Sequence, residues 1–284
     1  MASNPVFNRI DKQITQGGGY AGFDRQPTSR TSGGPGVQDN LNPGQLQDLY
    51  NQPSAGPVQT GRVTLDDVVM KTLGLFGIVL VFATVSWFAV VGNANLSLPL
   101  VLGGMLGGLA VGLVIAFKKT ISVPLIVLYA VLEGVLVGAI SSMFNSIPKY
   151  EGLVTTAVIA TLCTFAGMFV GWKSGLIKVT DKSRRIFGLA LIGYLLFGLV
   201  NVVASFMGVG GGFGIGGTGL LGIGISVLGV GLASYSLAID FDSVDRAVAA
   251  GMPEKYSWLL AHGLIVTLVW LYLEILRLLA RLRQ

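Results

Sequence analysis

Between Val68 and Leu279 the chain repeats one pattern seven times: a run of about 20 mostly apolar residues, then a short polar turn. The runs are Val68 to Val91, Leu96 to Phe117, Ser122 to Phe144, Leu153 to Trp172, Ile186 to Met207, Thr218 to Phe241 and Ser257 to Leu279. A helix of that length crosses the hydrocarbon core of a bilayer, and in lipid a spanning segment must satisfy its backbone polar groups internally. The pattern therefore predicts an all-α polytopic membrane protein with about seven transmembrane helices over residues 63–284. Short connections make sequential spans neighbours or near neighbours. Composition agrees, since 52% of residues are hydrophobic, 12% are charged and the mean hydropathy is +0.72, values foreign to a soluble domain with a polar surface.

Residues 1–62 differ in kind. They are rich in Gly, Gln, Asn, Ser and Pro, a composition that buries too little apolar area to offset the entropy of ordering. The expectation is a disordered cytoplasmic tail, with Leu46 to Tyr50 part of a solvated linker in preference to a helical turn or partner-binding motif. No basic region followed by an apolar core opens the chain, so a cleaved signal peptide is not expected. Thr64-Leu-Asp-Asp67, with acids ahead of an apolar run, reads as a helix start.

Loop charges set orientation. With the amino terminus inside a cell membrane, Arg62, Lys71, Lys118, Lys119, Lys173, Lys178, Lys182, Arg184, Arg185, Arg246 and Lys255 fall inside, and Lys149, Arg277, Arg281 and Arg283 fall outside. Seven spans thus put a basic carboxyl terminus outside, against the rule; that end is either an exception or a re-entrant or tilted last span. The net charge of +5 serves this orientation, and no nucleic-acid partner is expected. Cys163, the only cysteine, lies in an apolar run and reads as a small buried hydrophobe with no internal disulfide.

Of fourteen acidic residues, eleven sort to the tail, the loops or helix ends, Asp242 and Asp245 among them. Glu133, Asp240 and Glu274 remain at membrane depth. An ionised side chain there costs at least about 2.5 kcal/mol, so these acids face the protein interior or water, or carry a proton, and are functional candidates. Glu133 reads as near the midplane, Asp240 as close to the cytoplasmic side and Glu274 as near the outer side, with Arg277 on the same helix face as Glu274. Spread in this way they cannot all hold one ion, and a calcium ion takes about six to eight oxygens. No tight metal site is expected, only weak calcium contact at Asp240 and Glu133 along a stepwise path. His262, the only histidine, reads as level with Asp240 across the closing hairpin, where it is either a satisfied packing histidine or part of a pH-sensitive latch.

Glycines have a bland reading. Gly104, Gly108 and Gly112 form one bare ridge at four-residue spacing, which lets two membrane helices approach closely. Gly208 to Gly224 contains a dinucleotide-like pattern around Gly212-Phe-Gly214 but has no preceding strand and no ribose-binding acid, so no nucleotide site is expected. Enzymatic readings lack their residues: one His and one Cys build no usual metal site, the Gly-x-Gly-Asp signature of intramembrane aspartyl proteases is absent, and no Lys stands in the last span for a retinal Schiff base.

Three stretches, in order, resemble the Bax inhibitor family in its bacterial, YccA-like branch: Leu128-Tyr-Ala-Val-Leu-Glu133-Gly-Val-Leu-Val-Gly138, Ala238-Ile-Asp240-Phe-Asp242-Ser-Val244, and Leu268-Val-Trp-Leu-Tyr-Leu-Glu274-Ile-Leu-Arg277. The resemblance covers residues 64–284. It implies six helices around a central seventh, and a pH-sensitive calcium leak in which an acid ending the sixth span pairs with one in the seventh. Asp240 matches the first acid, with Asp242 close by. Where the second acid would stand, the chain has Gly263 to Thr267, so contacts from Asp240 to His262 or Thr267 are the expected replacements. The resulting expectation is a leak or transporter for Ca²⁺ or H⁺, without a cofactor, with Asp240, Asp242, Glu133, His262 and Glu274 along the ion pathway or gate. The resemblance implies one alternative: a non-conducting membrane regulator that binds a membrane-bound quality-control protease or another membrane protein.

Overall fold

The structure, a computed structural model, describes residues 61–212 and 214–283. The tail read over residues 1–62, with its Leu46 to Tyr50 segment, lies outside the described residues except for its last two positions, and so does Phe213 of the glycine-rich pattern.

Among the described residues seven helices are long and apolar enough to span a membrane. They are α1 (Leu65–Gly92), α2 (Ser97–Phe117), α3 (Val123–Asn145), α4 (Leu153–Lys173), α5 (Asp181–Phe206), α6 (Leu220–Ala249) and α7 (Tyr256–Leu282). The protein is an all-α, multi-pass membrane protein. Helix α1 begins as its sequence predicts, the Thr64 hydroxyl accepting from Asp67 N–H at 3.1 Å and donating to the Asp67 carboxylate at 2.8 Å.

Two helices extend five or more residues beyond their apolar runs, because an apolar window trims polar turns that are still helical. Helix α5 opens five residues before Ile186, at a capping box formed by Thr180 and Ser183. Helix α6 continues eight residues past Phe241, carrying Asp242 and Asp245 inside the helix.

Burial is concentrated in α7, where 83% of the spanning window is enclosed, against 11–44% in the other six. The last helix is therefore central. Its ring is incomplete, however: α1, α3, α4 and α6 pack along it, while α2 packs on α3 and α5 stands at the periphery. Being one continuous helix, α7 is not re-entrant, and its two ends lie at opposite faces of the bundle. At one face Val63 N–H donates to Met252 O (2.8 Å) and Lys71 Nζ to Ser257 Oγ (2.6 Å), fastening the start of α1 to the α6–α7 turn. This is called the amino-terminal face below. At the opposite face Arg283 donates to Glu151 O at 2.6 Å.

Close helix approach depends on glycine. A Cβ on Gly138 would overlap the Ala83 carbonyl, and one on Gly134 would lie 2.7 Å from Val79 O, so α3 rests backbone to backbone on α1. Ser86 strengthens the same seam by donating to Val135 O at 2.9 Å. Cys163 departs from expectation: it is exposed on α4, because it falls on the helix face turned away from α7 and α6.

Candidate functional site

Asp240 lies on the α6 stripe formed with Ala233, Leu237 and Val244, the side that packs on α7. It is 1% exposed. Its Oδ2 accepts from Thr267 Oγ1 at 2.6 Å, and its Oδ1 has no hydrogen-bond partner among the described residues. Of the two contacts expected for this acid, the structure forms the one to Thr267.

The depth assigned to Asp240 needs correction. Because α6 runs to Ala249, Asp240 sits nine residues, about 13 Å of helix, from the end rather than in the last turn. Thr267 is likewise close to the middle of α7. Asp240 therefore belongs to the central layer of the bundle, as does Glu133 near the middle of α3.

His262 is not level with Asp240. Five residues separate it from Thr267, about 7.5 Å along α7, and it turns instead toward α3. There its ring meets Tyr129 edge-on, centroids 4.5 Å apart and planes at 85°, and its Nδ1 has no hydrogen-bond partner among the described residues although the residue is buried. Tyr129 interacts with the Glu133 carboxyl one turn further along α3. The bare ridge of α2 covers this pair: an added Cβ would lie 3.5 Å from Glu133 Oε1 at Gly108, 3.2 Å from the Tyr129 ring at Gly112 and 2.9 Å from Leu136 Cβ at Gly104. The ridge thus makes room for a buried acid and a buried tyrosine, an internal role.

Asp242 faces the other way. Arg184 of α5 pairs with its carboxylate, and Arg246, one turn on, lies 3.3 Å away. Arg184 was grouped with the loop charges by sequence, yet it is buried. The available signal was Thr180-Asp-Lys-Ser183, whose cap draws Arg184 into the first turns of α5. The result is an ion-pair clasp between α5 and α6 on the amino-terminal side of Asp240.

Glu274 is also more heavily partnered than its spacing to Arg277 implied. Tyr194 of α5 donates to it at 2.8 Å and Trp270 Nε1 at 3.2 Å, while Arg277 stands at 3.4 Å. Arg281, placed among the outer charges by sequence, is buried between α6 and α7, donating to Gly222 O at 2.5 Å and to Ser226 Oγ at 2.6 Å. This polar network belongs to the half of the bundle opposite the amino-terminal face.

The structure brings Asp240 together with Thr267, and His262 with Tyr129, which in turn interacts with Glu133; Asp242 and Glu274 remain apart from both groups. No group of three or more His, Cys, Asp or Glu side chains forms a metal cage among the described residues. What the arrangement offers chemically is a set of buried oxygen and imidazole stations in the middle of a membrane bundle, flanked by an ion-pair clasp toward one face and a tyrosine–carboxylate–arginine network toward the other.

Seven spans, the last of them central, with buried carboxyl groups near mid-membrane define a polytopic membrane protein. The chain belongs to the Bax inhibitor 1 like family, whose model matches residues 4–284. That match takes in most of the tail, which the sequence resemblance had left aside. The family is membrane-associated and often linked to ion leak or channel activity. No curated protein matches the chain.

Proposed function

We propose that this chain is a cation leak of the cell membrane, passing Ca²⁺ or H⁺ under control of the protonation state of Asp240, with its amino terminus inside, and that it belongs to the YccA-like branch of the family. The observation that carries the reading is a carboxyl group 1% exposed, with one hydroxyl donor and one unpartnered oxygen, on the seam between α6 and the central helix.

The physical logic follows from that single hydrogen bond. A neutral carboxyl group can remain in a dry seam while accepting from Thr267. An ionised one is costly in low dielectric unless its second oxygen gains water or a cation. Ionisation therefore favours a hydrated state in which α6 and α7 separate at this level, and a cation entering that water has Asp240 Oδ1 as its first anionic ligand. Thr267 and Asp240 together fall well short of the six to eight oxygens that calcium prefers, so the ion is passed rather than stored. Glu133 is the next carboxylate at comparable depth. The Arg184–Asp242–Arg246 clasp holds α5 against α6 below the seam and sets how readily it opens. The reading assigns no enzymatic step and no cofactor.

The test is calcium and proton flux from proteoliposomes over a pH series. Flux should rise with pH, as the ionised form gains population, and Asp240→Asn should abolish that rise while leaving the protein folded. A folded protein that passes no cation at any pH sinks the proposal and leaves a non-conducting regulator, whose mark is a co-purifying membrane protease.

A further inference from the structure

We propose that one acyl chain of a membrane lipid occupies a lateral pocket between α1 and α4, where hydrocarbon reaches the otherwise enclosed central helix. Helices α1 and α4 do not pack along one another, and the space between them holds a pocket of about 380 Å³. Its floor is α7, through Ile265, Leu268, Val269 and Tyr272. Its back wall is α3, at Val137, Gly138 and Ser141, where the Gly138–Ala83 contact closes the α1–α3 seam behind it.

Three features identify the occupant. The mouth is formed by Leu80 and Phe88 on α1 and Val158 and Leu162 on α4, large apolar side chains exposed on the outside of the bundle, so the pocket is continuous with the surface that lipid covers. The lining contains no charged side chain. Its hydroxyls are already used: Thr84 donates to Leu80 O at 2.8 Å, Thr161 to Ala157 O at 2.7 Å and Ser141 to Val137 O at 2.5 Å, with Tyr272 OH 2.6 Å from Ser141 Oγ. Besides these the lining offers one indole N–H, that of Trp87, and no side-chain amide or charged group, so it suits hydrocarbon rather than a polar ligand. The volume is near the lower end for small-ligand sites, and a transmembrane helix, about 10 Å or more across, is too thick to enter.

Depth fixes the leaflet. Trp87 lies near the end of α1, Val154 and Val158 in the first turns of α4, and Ser141 in the last two turns of α3. The pocket therefore opens into the leaflet opposite the amino-terminal face, and a chain descending from that leaflet's headgroups meets α7 at Tyr272 and then Leu268.

Tryptophan quenching by lipids brominated on the acyl chain tests this. In full-length protein with Trp87, Trp172, Trp258 and Trp270 changed to Phe, a Leu268→Trp reporter on the pocket floor is reconstituted in nanodiscs of brominated or plain phosphatidylcholine. Brominated chains should remove most of its emission, and narrowing the mouth with Val158→Phe plus Leu162→Phe should restore it. A companion protein retaining only Trp87, which lines the pocket and needs no new core side chain, should show the same quenching and the same restoration. Loss of emission that mouth narrowing leaves unchanged means ordinary lipid contact at the surface and overturns the proposal. Absence of quenching in folded protein means that hydrocarbon does not enter, and overturns it equally.

Discussion

Thr267 Oγ1 donates to Asp240 Oδ2 at 2.6 Å across the seam between α6 and α7, the only hydrogen bond that this buried carboxyl makes among the described residues. Interhelical hydrogen bonds of this kind in membrane proteins contribute about 0.6 kcal/mol on average and up to about 1.7. Thr267→Val removes the donor without changing shape much. It should lower thermal stability in detergent by about 1 kcal/mol and raise the leak at a given pH, whereas Thr267→Ser should restore both. Equal behaviour of Val and Ser would mean that the contact controls nothing.

His262 gives the opposite expectation. The acid it would have to sense is bonded to Thr267, and the histidine ring lies against Tyr129 instead. His262→Gln should therefore leave the pH profile of flux in place, while Asp240→Asn flattens it. A profile displaced by His262→Gln would move the switch to the Tyr129–Glu133–His262 group.

The clasp at the end of the seam is measurable as a coupling. Arg184 and Asp242 are close in space on different helices, with Arg246 as a second partner. Stability changes for Arg184→Ala and Asp242→Ala should fail to add in the double variant, by about 0.5 kcal/mol or more. Simple additivity in thermal unfolding would show that α5 is not held to α6 there.

How much of this was legible in the sequence depends on which physical signal each feature leaves. Apolar run length announced seven spans, since the bilayer imposes one length on every helix. The bare ridge of Gly104, Gly108 and Gly112 was legible as a close approach, but not as the cover over Glu133 and Tyr129, because spacing says nothing about what lies opposite. Asp240 was visible as a costly buried acid, and Thr267 as one of two replacement partners. Its depth was misread, because hydropathy ends a helix where charges begin, and α6 continues through Asp242 and Asp245. The same trimming hid Arg184. Tyr194 was invisible as a partner of Glu274, a pairing 80 positions apart that only tertiary contact between α5 and α7 creates.

Glu274 should matter more for assembly than for gating. Tyr194→Phe deletes its shortest hydrogen bond, leaving Trp270 at 3.2 Å and Arg277 at 3.4 Å. The expected result is a loss of about 1 kcal/mol in thermal stability with the pH profile of flux unchanged. A changed profile would place Glu274 on the ion path.

The seam between α1 and α3 offers the sharpest contrast within a single residue type. At Gly138 an added methyl would overlap the Ala83 backbone, which cannot move without separating the two helices. Gly77, on α1, has nothing within 4 Å of the position a Cβ would take. Alanine is the better helix former by about 1 kcal/mol in water, so Gly77→Ala should be neutral or slightly stabilising. Gly138→Ala should cost on the order of 1–3 kcal/mol or more through overpacking, seen as a lower unfolding temperature and a smaller folded yield. The Gly138 wall also backs the lateral pocket, so a folded remnant of that variant should hold α1 and α3 further apart, read as a lengthened distance between spin labels placed on the two helices. If Gly138→Ala is as benign as Gly77→Ala, the two backbones do not touch at this point.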